Sequence, residues 1–315
     1  MAGFTQGKPA GKFMHSLLQA RFYNRKLPIA ELSLLMVAIF WGTSYGLTKE
    51  ALVYIPVLGF LTIRFLMTFS ILLPILSREL RSGAARDWKY ALPTGCILLS
   101  IFLCETYGVA NTTASNAAFL ISLCVLITPF IEWAVFKSYP GGKIFLQAMG
   151  CLLGVFLLSY NETQGVAFNQ GDGFILLAAL FRGFMVIVTR KLMIGRQLSS
   201  ISLTAIQSGV VGSGALLLCL MINPETNLQI PMVPEFWLIT LYLVLFCTIF
   251  AFFAQNYGVR QTSPSRVALL MGTEPAFGAA FAMLWLGEHL TGLQILGGLL
   301  IVVCATYSSI HRASQ

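Results

Sequence analysis

The chain has 315 residues, of which 57% are hydrophobic and only 10% charged, with a mean hydropathy of +0.79. A soluble domain carries roughly one-quarter charged residues, so this chain has too little polar surface to coat itself in water, and a water-soluble globular fold is excluded. Its net charge of +8 would suit a nucleic-acid binder only with the basic residues gathered on one face; they are scattered through the connecting loops, which leaves nucleic acid out.

Residues 1–30 hold Lys8, Lys12, Arg21, Arg25 and Lys26 but no uninterrupted apolar core ending in a small-residue cleavage site. The expectation is a basic cytoplasmic tail and no cleaved signal peptide. From there the chain reads as stretches of about 20 apolar residues, the length that crosses a bilayer core, broken at charges, Gly, Pro and Asn. Ten are expected, over 31–49, 56–76, 91–110, 114–136, 142–160, 171–192, 200–222, 235–257, 264–286 and 290–310. The fold class is therefore all-α and integral to the membrane, because a barrel would need short alternating strands that the sequence lacks.

Lys and Arg in alternate loops set the direction. Of the 20 basic residues, 17 fall on the side of the two termini and Lys49 alone on the other, with Arg64 and Arg182 inside spans. Both termini are thus expected in the cytoplasm, in an inner (plasma) membrane. The seven cysteines (Cys96, Cys104, Cys124, Cys151, Cys219, Cys247, Cys304) lie inside apolar runs with no C-x-x-C spacing and read as packing residues. His15, His289 and His311 lie outside the spans, which removes haem ligation, a zinc H-E-x-x-H site and histidine proton relays; neither a metal nor a cofactor is expected.

Three stretches recur in order. Gly42 to Lys49 (GTSYGLTK) aligns with Gly183 to Arg190 (GFMVIVTR), and Tyr107-Gly108-Val109 with Tyr257-Gly258-Val259, followed by Ser115, Ala118 and Leu120 against Ser265, Ala268 and Leu270. Leu146, Gln147, Gly150, Leu152 and Leu153 return as Leu293, Gln294, Gly297, Leu299 and Leu300. Pairing Pro129 with Pro275 gives a shorter offset than the tyrosines do and implies four extra residues in the fourth span. Five spans per repeat is odd, so the second copy, 171–310, enters the membrane upside down relative to the first, 31–160. Inverted repeats of this kind typify secondary transporters, with a site at the repeat interface.

Trp41-Gly42 with Lys49 after it, Arg64, the run Tyr107 to Leu120 (YGVANTTASNAAFL), Tyr257 with Ser263-Pro264-Ser265, then Glu274-Pro275 and Gly287-Glu288 follow one another in this order. The set resembles the ten-helix EamA family of the drug/metabolite transporter superfamily over about residues 30–310. What the resemblance implies is transport of an amino acid, a nucleotide-like metabolite, a vitamin or a drug-like amphipathic solute, with export favoured over import. Arg182 departs from the pattern, since symmetry with Trp41 asks for an aromatic or small residue there.

Ionisable groups inside spans are expensive and so are candidate functional residues. These are Arg64, Glu105, Glu132, Arg182 and Glu274, each of which could instead pair with another and fix helix packing; Glu132 is placed to reach the interface. Pro275 follows Glu274, and a proline that opens the backbone ladder at mid-depth would leave carbonyl oxygens beside a carboxylate, a setting for an ammonium group or a proton. Arg182 or Arg64 would then hold an anionic group through its planar fork. Glu105-Thr106-Tyr107 and Gln255-Asn256-Tyr257 are repeat-related polar triplets that read equally as gates, cavity walls or interfacial caps, and Trp41 and Tyr45 as an aromatic face or as packing. The substrate-binding set is thus Trp41, Tyr45, Arg64, Glu105, Tyr107, Arg182, Gln255, Asn256 and Glu274. Partners are a small-molecule substrate, exchangeable protons and the lipid bilayer, whether the chain acts as a monomer or a dimer. An intramembrane enzyme would need a nucleophile with a base or metal at depth, and a channel a continuous polar ring; the spans supply neither.

Overall fold

The computed structural model describes residues 10–112, 114–137, 139, 141–160, 169–222, 224–227, 229–285 and 291–310, and these are helical apart from short connections. Gly287-Glu288, His289, His311 and Arg312, which entered the reading above, lie outside them. In chain order the helices are α1 (Ala10–Ala51), α2 (Val57–Arg81), α3 (Leu92–Asn111), α4 (Ala114–Ile121), α5 (Cys124–Phe136), α6 (Gly142–Ser159), α7 (Gln170–Met193) and α8 (Ser200–Met221). After the short α9 (Pro224–Asn227) come α10 (Pro234–Val244), a π turn (Leu245–Phe250), α11 (Ala251–Gln261), α12 (Pro264–Met271), α13 (Glu274–Trp285) and α14 (Gly292–Ile310). Among the described residues, seven stretches are individually long and apolar enough to cross a bilayer, and Gly142–Leu157 and Gly292–Ala305 are shorter apolar helices. The helix starts follow ordinary rules: Asn169 and Asp172 form a capping box on α7, and Ser263 caps α12 with Pro264 as its first residue.

Three expectations need correction. First, α1 begins at Ala10, far ahead of the expected start at 31, because the basic segment extends the helix; its apolar part is Ile29–Ala51. Second, the fourth and ninth expected stretches are each two helices, interrupted at Ser122-Leu123 and at Gly272-Thr273. Pro275 therefore sits in the first turn of α13, where its missing N–H would have had no helical partner anyway; it does not open a continuous ladder. Third, α5 and α13 restart at Cys124 and Glu274, preserving the tyrosine offset, so Pro129 inside α5 is not the counterpart of Pro275 and the extra residues of the first half lie beyond the break.

Packing is between antiparallel neighbours. Along α2 and α8, Thr62 meets Cys219 (Oγ1 to Sγ 3.5 Å) while Leu66 and Phe69 cover Gly212 and Gly209. Along α6 and α14, Gly150 faces Cys304 and Gly154 faces Ile301 and Gly297. On α3 and α7, Gly108 receives Ile175; on α1 and α11, Gly258 receives Leu34. A methyl group on Gly42 would lie 2.6 Å from the Gly278 nitrogen, and one on Gly272 would lie 2.2 Å from Val125 Cγ2, so α1 touches α13, and the end of α12 touches the start of α5, backbone to side chain. Without a hydrophobic driving force between helices in lipid, such close approach is what holds them. Outward, large apolar side chains stand bare: Leu146 is 75% exposed, Leu238 69% and Val303 60%. That surface suits acyl chains and would aggregate in water.

Candidate functional site

At the centre of the bundle, α7 carries Arg182, whose guanidinium bridges two carboxylates: Nη2 lies 3.0 Å from Glu105 Oε2 on α3 and Nη1 donates to Glu274 Oε2 at 3.2 Å. The same guanidinium stacks on Trp41 of α1, 4.7 Å from the ring centroid. These four side chains come from four helices, and the departure noted at Arg182 becomes intelligible: it faces Trp41, the residue it was aligned with.

Two cavities adjoin this cluster and share Trp41, Phe102, Glu105 and Arg182 as a common wall. The larger is an envelope of about 600 Å³ that includes open space at its mouth, and it is walled by apolar groups such as Leu98, Ile101, Met185 and Phe252. Both helix interruptions reach it, through Ser122 and Cys124 on one side and Gly272 and Glu274 on the other. Two acceptors in its lining, Glu274 Oε1 and Gln255 Oε1, are buried and make no hydrogen bond of ordinary geometry among the described residues, the Tyr45 hydroxyl lying beside Glu274. Leaving a buried polar atom unpaired costs ~1–3 kcal/mol, so both atoms are poised for a donor. The smaller cavity, about 360 Å³, is lined by Ser44, Tyr45, Thr48, Arg64 and Thr106 beyond the shared wall.

A local irregularity of α10–α11 positions two of these groups. The π turn frees the Cys247 carbonyl, which accepts from Trp41 Nε1 at 2.8 Å, and turns Thr248 Oγ1 toward Arg64, whose Nε donates to it at 3.0 Å. Wide turns of this kind concentrate at functional sites because they redirect side chains without ending the helix. Arg64 otherwise rests against Phe65 and Phe102, 5.5 and 5.2 Å from the ring centroids, and the two rings pack on each other 4.5 Å apart. Among the described residues no carboxylate lies within ion-pair distance of it.

Of the nine expected site residues, Trp41, Tyr45, Arg64, Glu105, Arg182, Gln255 and Glu274 line one or both cavities. Tyr107 and Asn256 do not. Tyr107 packs its ring against Phe174, 6.3 Å between centroids, on the far side of α3. Asn256 Nδ2 donates to Thr204 Oγ1 (3.0 Å) and to Gln207 Oε1 (2.9 Å), and Gln207 Nε2 to Thr94 (3.0 Å), a network that ties α11 to α8 and α3. Glu132 is structural as well: its Oε2 accepts from the Ser265 backbone N–H (2.9 Å) and from the Ser265 hydroxyl, and so caps α12. Sequence reasoning missed Phe102, Thr128, Thr248, Phe252 and Met271, neutral residues that resemble any others in a span.

Comparison with known proteins agrees with this architecture. An uncharacterized transporter of Archaeoglobus fulgidus is 27% identical over 283 residues, covering 90% of this chain and 86% of that protein. The uncharacterized transporter YdfC of Bacillus subtilis is 24% identical over 213 residues, 66% of this chain and 67% of its own length. A protein of known crystal structure shares the fold with a TM-score of 0.73 at 15% identity, over 91% of this chain and 99% of that one. Residues 28–160 and 169–310 both match the EamA-like transporter family, to which this chain belongs.

Proposed function

We propose that the chain is a secondary transporter that exports a small amphipathic metabolite with a cationic amine, by alternating access between two inverted five-helix repeats, 31–160 and 171–310. The reading takes ten crossings, counting α4–α5, α10–α11 and α12–α13 as one each, with both termini on the cytoplasmic side of an inner membrane. Repeat-related contacts support it. Gly108 against Ile175 is mirrored by Gly258 against Leu34, and Lys49 donating to the Thr112 carbonyl (3.0 Å) by Arg190 donating to that of Thr262. Asp172, which accepts from Thr112, and Glu31, which pairs with Arg266 at 3.3 Å, are equivalents too. The antiparallel course of α2 against α8 and of α6 against α14 is what an inversion requires.

The observation that carries the substrate class is the pair of unpartnered acceptors, Glu274 Oε1 and Gln255 Oε1, in an otherwise apolar and aromatic chamber. With Arg182 already bridging two carboxylates, the lining of that chamber holds one more negative than positive charge. A protonated amine, or a proton in its place, restores neutrality, and the exchange of one for the other couples the solute to the proton gradient. Export rests on the family resemblance alone.

The test is counterflow in proteoliposomes with amphipathic amines, amino acids, vitamins and organic cations. Saturable exchange of an amine that depends on an opposing pH gradient, and loses that dependence in Glu274→Gln, is expected. Undiminished transport by Glu274→Gln at every pH would refute the carboxylate's role.

A further inference from the structure

The smaller cavity has the opposite character. Beyond the shared Arg182–Glu105 wall, the charged group it adds is Arg64, a guanidinium in a residue only 4% exposed. Removing a charge from water is paid back only when a counter-charge or several hydrogen bonds meet it; here one N–H of the fork is taken by Thr248, and no described carboxylate is in range. A second observation points the same way. The Tyr45 hydroxyl, in a residue 4% exposed that lines the same cavity, lies beside Glu274 but makes no hydrogen bond of ordinary geometry among the described residues. Ser44 and Thr106 complete a lining rich in hydroxyl groups.

We propose that Arg64 and Tyr45 form an anion-binding subsite for a carboxylate or a small inorganic anion, adjoining the amine chamber across the wall they share at Arg182. A guanidinium fork presents parallel N–H groups that match the two oxygens of a carboxylate, and the phenol supplies a further donor. The rings of Phe65 and Phe102, packed edge to face against each other, together present one aromatic wall to the guanidinium. The two chambers are electrically complementary: the lining of one has an excess negative charge at Glu274, the other an excess positive charge at Arg64. This rests on the transport reading for its purpose, but its chemistry can be tested without any transport. A carboxylate on the solute and a free anion such as chloride would meet the same donors.

The experiment uses the full chain purified in detergent at constant ionic strength, titrated with benzoate, with benzamide as a neutral probe of the same shape, and with chloride, reading thermal stability. Benzoate is expected to give a saturable rise that benzamide does not. Arg64→Gln is expected to weaken benzoate roughly tenfold to a hundredfold, the loss of a charge-assisted contact. Tyr45→Phe weakens it less and serves as the test should Arg64→Gln fail to fold. Glu274→Gln leaves the benzoate response intact, even where it abolishes amine exchange, so failure of the transport reading and of this one are told apart. A matching chloride response assigns the subsite to free anions; a response to benzoate alone assigns it to carboxylates. Equal responses to benzoate and benzamide, or a wild-type response in both Arg64→Gln and Tyr45→Phe, would overturn the proposal.

Discussion

Replacing Arg182 by Gln removes the cation between two carboxylates whose side chains are 12% and 4% exposed. Breaking a buried ion pair while leaving its partner behind costs ~3–5 kcal/mol, and loss of the stacking on Trp41 adds about 1 kcal/mol. At roughly 2–4 °C per kcal/mol for a chain of more than about 150 residues, the apparent Tm falls by about 8–24 °C. Intrinsic-fluorescence melting of the detergent-purified protein at neutral pH reads this directly. Arg182→Lys keeps the charge but not the two-pronged fork and falls between. The decisive comparison is the triple variant R182Q/E105Q/E274Q, which removes the stranded charges as well and recovers most of the loss. A single variant melting within about 2 °C of wild type, or a triple variant no more stable than the single one, would refute the view that the bridge holds four helices together.

Gly42→Val forces side-chain atoms into the Gly278 backbone, 2.6 Å from the missing Cβ, and should cost about 1–3 kcal/mol in thermal melts; Gly46→Ala, with nothing within 4 Å, should be neutral or slightly stabilising. Asn256→Ala strands Gln207 Oε1, so stability should drop by ~1–3 kcal/mol, while the KM for the exchanged amine stays at its wild-type value. Trp41→Phe deletes the hydrogen bond to the Cys247 carbonyl and should lower stability by about 1 kcal/mol, with a rise in KM because the ring also walls both cavities. Tyr107→Phe should change neither melting nor exchange, since its ring faces Phe174 away from the cavities.

How legible the molecule was depends on which physical rule each part obeys. Helix positions follow from apolar length alone, which is why α2, α3, α7 and α8 fall within a few residues of the stretches read from the sequence. The charged members of the cluster were visible because a buried charge in a membrane protein needs a reason; Arg182, Glu105 and Glu274 each announced themselves by cost. Asn256 and Tyr107 misled because polarity marks a side chain that needs partners, and nothing local says whether those partners are protein or solute: Gln255 points into a cavity, its neighbour Asn256 into a helix interface. The interruptions at Ser122-Leu123 and Gly272-Thr273 were hidden, since neither carries a proline at the break, and Pro129 drew attention to the wrong turn. No pattern in Leu245–Phe250 announces a π turn, because the wider turn is set by what it serves, Trp41 and Arg64, both distant in the chain.

The two interrupted spans meet where they are weakest. Gly272 closes α12 at one break and Val125 opens α5 just after the other, and the methyl that Gly272 lacks would overlap the valine. An uninterrupted helix resists bending along its whole hydrogen-bonded ladder, whereas a chain that stops and restarts bends at that point. If the chain works by the alternating access proposed above, two such knees pressed against each other would act as a linkage: a bend at one would displace the other, and a tilt begun on one side of the contact would be passed to the opposite side.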